Sequence, residues 1–423
     1  MPSGFTARFR RFLTGASPEA PPGHTPVRVR PGFDFTLTGL VYSLMLGFMG
    51  LAAINGQANL LFGVFGLMIG ILLISGMICR TVIRRLSVTR LLPDSAVVGR
   101  PATILYEFHN HKRFWPSLSV NLAELDGVDS FHAQPAAYML HAAARMTATV
   151  PTEVLPRRRG LCRLNHYQIS TSFPFGFIRR ALTLGQTDSM IVYPAVGKVS
   201  ERLLTMCRSA EKVGAPMKPQ RGGEDEFYGV REYRSGESLK SIYWRRSAKA
   251  PGLLVAREMT QVAPPRLLLM VDTHAPQRTR ADAAEIERVI AMAGSLAAHT
   301  LEMDMAVGAC AWTGGDPEFT VLGVQRGKRQ RRDILSMLAC LPRNTLCDAD
   351  RLLEFSRRLI NRGITGILFT RRSMHMGLAD EARGSLLVIS ASSRLADAWF
   401  TFDSTVDFSH SMPLDQAPGD ADV

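Results

Sequence analysis

The strongest constraint on this chain is a pair of charge-free apolar runs near its start. Residues 37–54 are 18 positions without a formal charge, and residues 60–78 are 19 more. At about 1.5 Å per helical residue each run reaches roughly 27–28 Å, close to the ~30 Å hydrocarbon core of a bilayer. Residues 55–59, Asn-Gly-Gln-Ala-Asn, are all that separates them, which is a turn between two antiparallel rods and not a domain. The expectation is a membrane hairpin over residues 35–79; the alternative is two buried helices of a soluble core.

The flanks set the expected orientation. Arg8, Arg10, Arg11, Arg28 and Arg30 precede the first run, and Arg80, Arg84, Arg85 and Arg90 follow the second. The loop between carries no charge, so the positive-inside rule places both ends in the cytoplasm. A second run follows the first at once, which argues against a cleaved signal peptide. Ser43 with Gly47, and Gly66 with Gly70, offer small residues through which the two rods can approach, the alternative being glycines that face lipid. Residues 1–34, rich in Pro, Gly and Arg, read as a disordered basic tail near anionic headgroups. Residues 412–423 read as a loose acidic tail.

At 423 residues, the chain has room for two or three domains. Lys plus Arg is 50 against 37 for Asp plus Glu, a net +13 that a membrane neighbour accounts for without nucleic acid. The six cysteines, at 79, 162, 207, 310, 340 and 347, form no C-x-x-C pair. That excludes a small disulfide scaffold and fits a reducing compartment.

Residues 80–195 carry strand signals. Residues 102–108 are rich in β-formers, residues 118–122 alternate apolar and polar, and Pro, Gly and Asp punctuate between. Short strands at turn-rich spacing suggest a small β-sandwich. From residue 266 the period changes. Residues 267–271 are a continuous apolar run ending at Asp272, as in a strand buried on both faces. Ile286, Val289, Ile290, Ala293, Ala297 and Leu301 then form one helical stripe. Strands are expected at residues 305–311, 319–322, 366–370 and 386–389, with helices around residues 334–341 and 352–360. This alternation predicts a mostly parallel, helix-covered α/β domain over residues 266–411.

The connector, residues 196–265, holds the most unusual stretch. Residues 229–249 interleave six cations (Arg231, Arg234, Lys240, Arg245, Arg246, Lys249) with Tyr233, Tyr243 and Trp244. Guanidinium groups beside such rings stack, pair with carboxylates, or both. Three roles remain open for it: an Arg/Trp clasp pinning the connector to the fold, a docking surface for a protein partner, or stacking on single-stranded nucleic acid.

This stretch resembles the signature of bacterial domain-of-unknown-function family 58, roughly R-x-Y-x-x-G-D-x-x-R-x-I-x-W-x-x-S-A-R. Arg231, Tyr233, Gly236, Ile242, Trp244, Ser247 and Ala248 match, while Glu237, Lys240 and Lys249 are charge-preserving departures. Arg157-Arg158-Arg159-Gly160 with Phe173-Pro174-Phe175-Gly176-Phe177 is similar to the family's RRG…DPFGL segment, Phe173 replacing Asp, and Val192-Tyr193-Pro194 to its V-Y-P. The resemblance, over about residues 35–400, implies a protein of the bacterial inner membrane. A β domain and a doubly wound von Willebrand factor A-like domain would both face the cytoplasm. It implies MoxR-type AAA+ ATPases as partners, often with a transglutaminase-like membrane protein, and no established enzymatic activity.

Von Willebrand A domains often hold Mg²⁺ through D-x-S-x-S after the first strand. Asp272 stands in the right place, but His274 and Pro276 replace the serines, and Arg371 and Arg372 crowd a later strand end. A hard cation wants oxygen ligands and no guanidinium nearby, so neither metal nor other cofactor is expected. Asp272 is expected to cap its turn or to pair with Arg371 or Arg372. His109 and His111 lack further zinc ligands, Glu224-Asp225-Glu226 reads as a solvated acidic turn, and the basic run at residues 326–332 as a charged face. There is no P-loop, G-x-S-x-G or H-E-x-x-H. The expected role is a non-enzymatic membrane adaptor in envelope protein assembly, with Arg231, Tyr233, Arg234, Gly236, Glu237, Lys240, Trp244, Arg245, Ser247 and Lys249 as its docking or structural motif. Nucleic acid is not expected as a partner. The alternatives are an envelope enzyme using a site near Asp272, or a tethered nucleic-acid binder.

Overall fold

The computed structural model describes residues 27–56, 59–209, 221–234, 238–249, 252–260, 266–275, 279–314, 317–344, 346–360, 364–371 and 386–408. The chain is mixed α/β with several sheets. Strand β1 (Val27–Phe35) leads into two long helices, α1 (Leu37–Gly56) and α2 (Asn59–Ile83). Residues 27–34 were expected to belong to a disordered tail and instead pair as a strand; the Val-Arg-Val-Arg and Phe-Asp-Phe alternation there is a period-two pattern that Pro31 and Gly32 obscure. Residues 1–26 and 412–423 lie outside the described residues.

Both helices are long and apolar enough to cross a membrane. Leu44, Phe48 and Leu51 on α1 and Leu67, Leu73 and Met77 on α2 are exposed, where a soluble core helix would hide them. Tyr42 donates a hydrogen bond to the Met68 carbonyl at 3.0 Å across the pair. The close approach is not where the small-residue spacing pointed. Gly47, Gly66 and Gly70 face open space, while an added Cβ on Gly50 would lie 2.9 Å from the Phe65 ring.

A β domain follows: β2 (Leu86–Leu91), β3 (Ser95–Val97), β4 (Ala102–Asn110), β5 (Ser117–Glu124), β6 (Ala136–Ala142), β7 (Thr147–Val154), β8 (Gly160–Thr171) and β9 (Ile178–Tyr193). One sheet has the order β1-β9-β8-β5-β6, with β3 also on β9; the second is β2-β4-β7. Val88, Tyr106 and Phe108 from one and Leu122, Tyr167 and Ile169 from the other form a shared core. Within it Arg90 donates to Glu124 at 2.6 Å and to Asp188 at 3.0 Å, and Tyr106 donates to Glu124 at 2.9 Å, so no member of this buried set is left unpaired. Strand β1 enters α1 and β2 leaves α2, so both ends of the helical pair run into this one domain.

The connecting stretch contains β10 (Lys198–Val199), α3 (Glu201–Ser209), β11 (Arg221–Glu232), the single turn α4 (Trp244–Ser247) and β12 (Val255–Thr260). Strands β11 and β12 form an antiparallel hairpin. The α/β unit then runs β13 (Arg266–Val271), α5 (Arg280–Glu302), β14 (Ala306–Trp312), β15 (Phe319–Gln325), α6 (Lys328–Ala339), α7 (Ala349–Ile360), β16 (Thr365–Thr370), β17 (Leu386–Ser390), α8 (Arg394–Trp399) and β18 (Phe400–Thr401). Its sheet order is β15-β14-β13-β16-β17, parallel except for β15. Alternate residues of β13 enter different cores. Leu267, Leu269 and Val271 meet α5 and α6 on one face, while Leu268 and Met270 meet α7 on the other. Strand β18 returns to pair with β10.

Candidate functional site

The signature segment is built on the β11–β12 hairpin. Arg231 lies opposite Ala256 in the register, and its Nη1 donates to the Glu232 carbonyl at 3.2 Å. The Tyr233 amide donates to the Leu254 carbonyl at 2.7 Å. Gly236 and Glu237 lie outside the described residues. Ser238 accepts from the Lys240 amide and caps a short turn over residues 239–241. The Tyr243 amide then donates to Val255 at 2.7 Å, and the Arg257 guanidinium sits 4.6 Å from the Tyr243 ring centre. Ser247 Oγ accepts from the Val255 amide at 2.9 Å. Ile242 and Ala256 are buried.

The segment thus has two sides. Tyr233, Ile242, Tyr243 and Ser247 hold it to the hairpin through backbone bonds and one apolar plug. Trp244 is 61 % exposed, and Arg234, Lys240, Arg245, Arg246 and Lys249 are exposed as well. An indole in water beside several guanidinium and ammonium groups matches the chemistry of protein interface anchors, where aromatic area and Arg forks meet carboxylates.

Asp272 stands at the carboxyl end of β13, next to β16, where α/β sheets place ligands. Its Oδ1 accepts from the His274 amide at 2.9 Å and its Oδ2 from Thr370 Oγ1 at 2.8 Å. Burial pushes its carboxyl above the usual range, against the pull of those two donors. Of the roles expected for Asp272, the turn cap forms through the His274 amide, and the pairing with Arg371 does not, because Arg371 turns to Asp282, with Glu285 at 3.6 Å, at the start of α5. A guanidinium there bonds the Asp282 carboxylate and lies within ion-pair reach of Glu285 at a helix N-terminus, whereas Asp272 already has two neutral donors. Arg372 and Pro276 lie outside the described residues. Nearby Cys347 is buried, and burial pushes its thiol up to about 11, which leaves it a protonated, weak nucleophile. No cluster of three or more His, Cys, Asp or Glu suited to a metal occurs among the described residues.

The other candidates resolve into ordinary contacts. His109 meets Thr147 and His111 meets Ser87, each at 2.8 Å. Arg326 pairs with Asp304 and Arg331 with Glu302 on the surface. Residues 224–226 fall within β11, not in a turn.

One polar site escaped sequence reasoning. Arg159, from the Arg-Arg-Arg-Gly run, is 1 % exposed and grips Glu287 of α5 with Nε–Oε2 2.7 Å and Nη2–Oε1 3.0 Å. Its remaining donors reach the carbonyls of Leu338, Ala339 and Leu341, the open end of α6. A cation at a helix C-terminus complements the carbonyl dipoles. The bond ties the β domain to the α/β unit. The signal was present in the helix: Ala283, Glu287, Ala291 and Ser295 recur every four residues and all are buried, so α5 has a second covered face carrying one carboxylate.

Fold and site together define a mixed α/β protein with two helices able to cross a membrane, a buried arginine bolt and an exposed tryptophan–arginine turn. Compared with known proteins, the chain matches no family model, and no curated protein matches it.

Proposed function

We propose that this protein is a non-enzymatic membrane adaptor, with the two apolar helices as a hairpin anchor in a bacterial inner membrane. Both termini and the β and α/β domains lie on the cytoplasmic side, and the Trp244 turn docks a protein partner. The partner is a MoxR-type AAA+ ATPase acting in envelope protein assembly, with a transglutaminase-like membrane protein as a further associate. Neither a metal nor another cofactor takes part, and nucleic acid is not a ligand. The α/β domain is von Willebrand factor A-like, a reading supported by the helix-covered parallel sheet and by the signature resemblance over residues 231–249. The arginine flanks and the entry of both helix ends into one domain support the orientation.

The observation that carries the docking role is the division of one short segment. The turn is fastened by Ile242 and Ser247, while Trp244, Arg245 and Lys249 stay in water. A purely structural clasp would bury the indole. The test is co-purification in mild detergent. Wild type retains the ATPase and Trp244→Ala loses it; equal recovery with both, or no ATPase with wild type, contradicts the proposal. A second reading, an enzyme centred on Asp272, draws on its buried carboxyl at the sheet's carboxyl edge. Turnover of a substrate that disappears in folded Asp272→Asn would favour it.

A further inference from the structure

The ends of the two apolar helices are wrapped by two loops of the β domain, and both loops expose aromatic rings. Residues 111–117 encircle the last turn of α2. Lys112 Nζ donates to the carbonyls of Thr81 at 3.1 Å and Val82 at 2.7 Å, Ser117 Oγ donates to Val82 at 3.0 Å, and the His111 amide donates to Arg85 at 3.0 Å. Between these fixed points Phe114 is 77 % and Trp115 63 % exposed. Residues 173–178 grip both helices. The Thr36 amide donates to Phe177 at 3.1 Å, the Phe177 ring stacks on Tyr42 at 4.2 Å, and Cys79 Sγ donates to the carbonyls of Phe173 and Ile178. Phe175, at the tip of this loop, and Phe35, just before α1, are each about half exposed.

The two loops grip neighbouring heights of α2: Cys79 and Val82 are three residues apart, about 4.5 Å along a helix, while the 173–178 loop also reaches along α1 to Tyr42. Those heights are where the charge-free stretch ends: Asp34 is the last charge before α1 and Arg80 the first after it. Exposed Arg80, Arg84, Arg85, Arg113 and Arg179 stand in these same segments, with Asp34, opposite Arg179 in the β1–β9 register, as the acidic side chain among them. Arg113 lies 5.1 Å from the Phe114 ring centre. Lys112 is buried under the loop and takes no part in this surface.

Rings at the height where a span leaves hydrocarbon, interleaved with cations, match the headgroup layer of a bilayer: aromatics settle in the interface and arginines pair with phosphate. Resting on the membrane reading of α1 and α2, we propose that this face of the β domain is a seat for anionic phospholipid headgroups. Phe114, Trp115 and Phe175 enter the interface, and Arg84, Arg113 and Arg179 contact the phosphates. The domain is then held against the bilayer at a fixed angle, not hung from it on a tether.

The test uses the full chain in vesicles, with Trp115 fluorescence quenched by lipids brominated near the headgroup. Wild type should be quenched, and more strongly with phosphatidylglycerol present than in phosphatidylcholine alone. Trp115→Phe should lose most of the quenching while Trp244, Trp312 and Trp399 remain. Neutralising Arg84, Arg113 and Arg179 to Gln should abolish the phosphatidylglycerol dependence. Quenching unchanged by Trp115→Phe, or equal in both lipids, overturns the seat while leaving the membrane anchor standing. A chain that does not enter vesicles at all contradicts the membrane reading itself.

Discussion

Two arginine-rich stretches of this chain look alike in sequence and end in opposite environments. Arg159 is buried, with bonds to one carboxylate and three carbonyls. Arg245 and Arg246 are exposed beside an exposed indole. The difference lies in what each segment meets. Arg159 directly precedes β8 where a covered face of α5 and the open end of α6 converge, so all three of its nitrogens find acceptors in place of water. The Trp244 turn rides on a two-stranded hairpin with one small apolar plug, Ile242, too little to cover a ring. Arginine content therefore says nothing about burial until the partners of the flanking strands are known.

The comparison breaks most visibly at the buried end. Arg159→Ala should cost about 3–5 kcal/mol, because it strands Glu287 without its counter-charge. Replacing both, Arg159→Met with Glu287→Leu, should recover only the part due to the stranded carboxylate in denaturant unfolding of the detergent-solubilised protein, because the carbonyls of Leu338, Ala339 and Leu341 stay without their donor. A small loss from the single change would mean that water reaches Glu287 or that Arg343, whose charge also acts on it, replaces the lost partner. Next comes Asp272→Ala, which leaves the His274 amide and Thr370 hydroxyl without an acceptor and should cost about 1–3 kcal/mol. Asp272→Asn should cost less, and added Mg²⁺ should leave the unfolding midpoint of the wild type unchanged; a magnesium-dependent rise would revive a metal site.

Lys112 gives a pH signature on the order of 1–2 kcal/mol. Burial pulls its ammonium from 10.5 down to about 8. Between those two values the unfolded chain holds more protons than the folded one, so stability from this group rises as pH climbs from about 8 toward 10.5. Unfolding midpoints across that range should rise for wild type and rise less for Lys112→Met. The smallest effect belongs to the exposed end: Trp244→Ala should change stability by no more than about 0.5 kcal/mol. A loss of several kcal/mol would make the turn a clasp and remove the contrast.

Much of the fold could be read from period and charge. The two apolar runs and the run ending at Asp272 needed no tertiary information, since length or continuous hydrophobicity defines them. The points that period and charge leave open share a cause. Residues 27–35 become a strand because β9, far along the chain at Ile178–Tyr193, offers an edge. Of the two readings open to Gly66 and Gly70, the outward-facing one holds and Gly50 makes the contact, since spacing does not reveal which helix face turns toward its partner. Of the two roles open to Asp272, the turn cap forms and the pairing with Arg371 does not, since Asp282 and Glu285 take that guanidinium once α5 is placed. Glu287 is hard to read from the sequence because the dominant stripe of α5 masks its second face.

The docking claim is tested most directly by a photo-reactive side chain placed at position 244 and, as a control, at buried position 242, in the full chain within native membranes. The account predicts a crosslink to a AAA+ ATPase from position 244 and none from position 242. No ATPase crosslink from 244, or the same products from both positions, would contradict it.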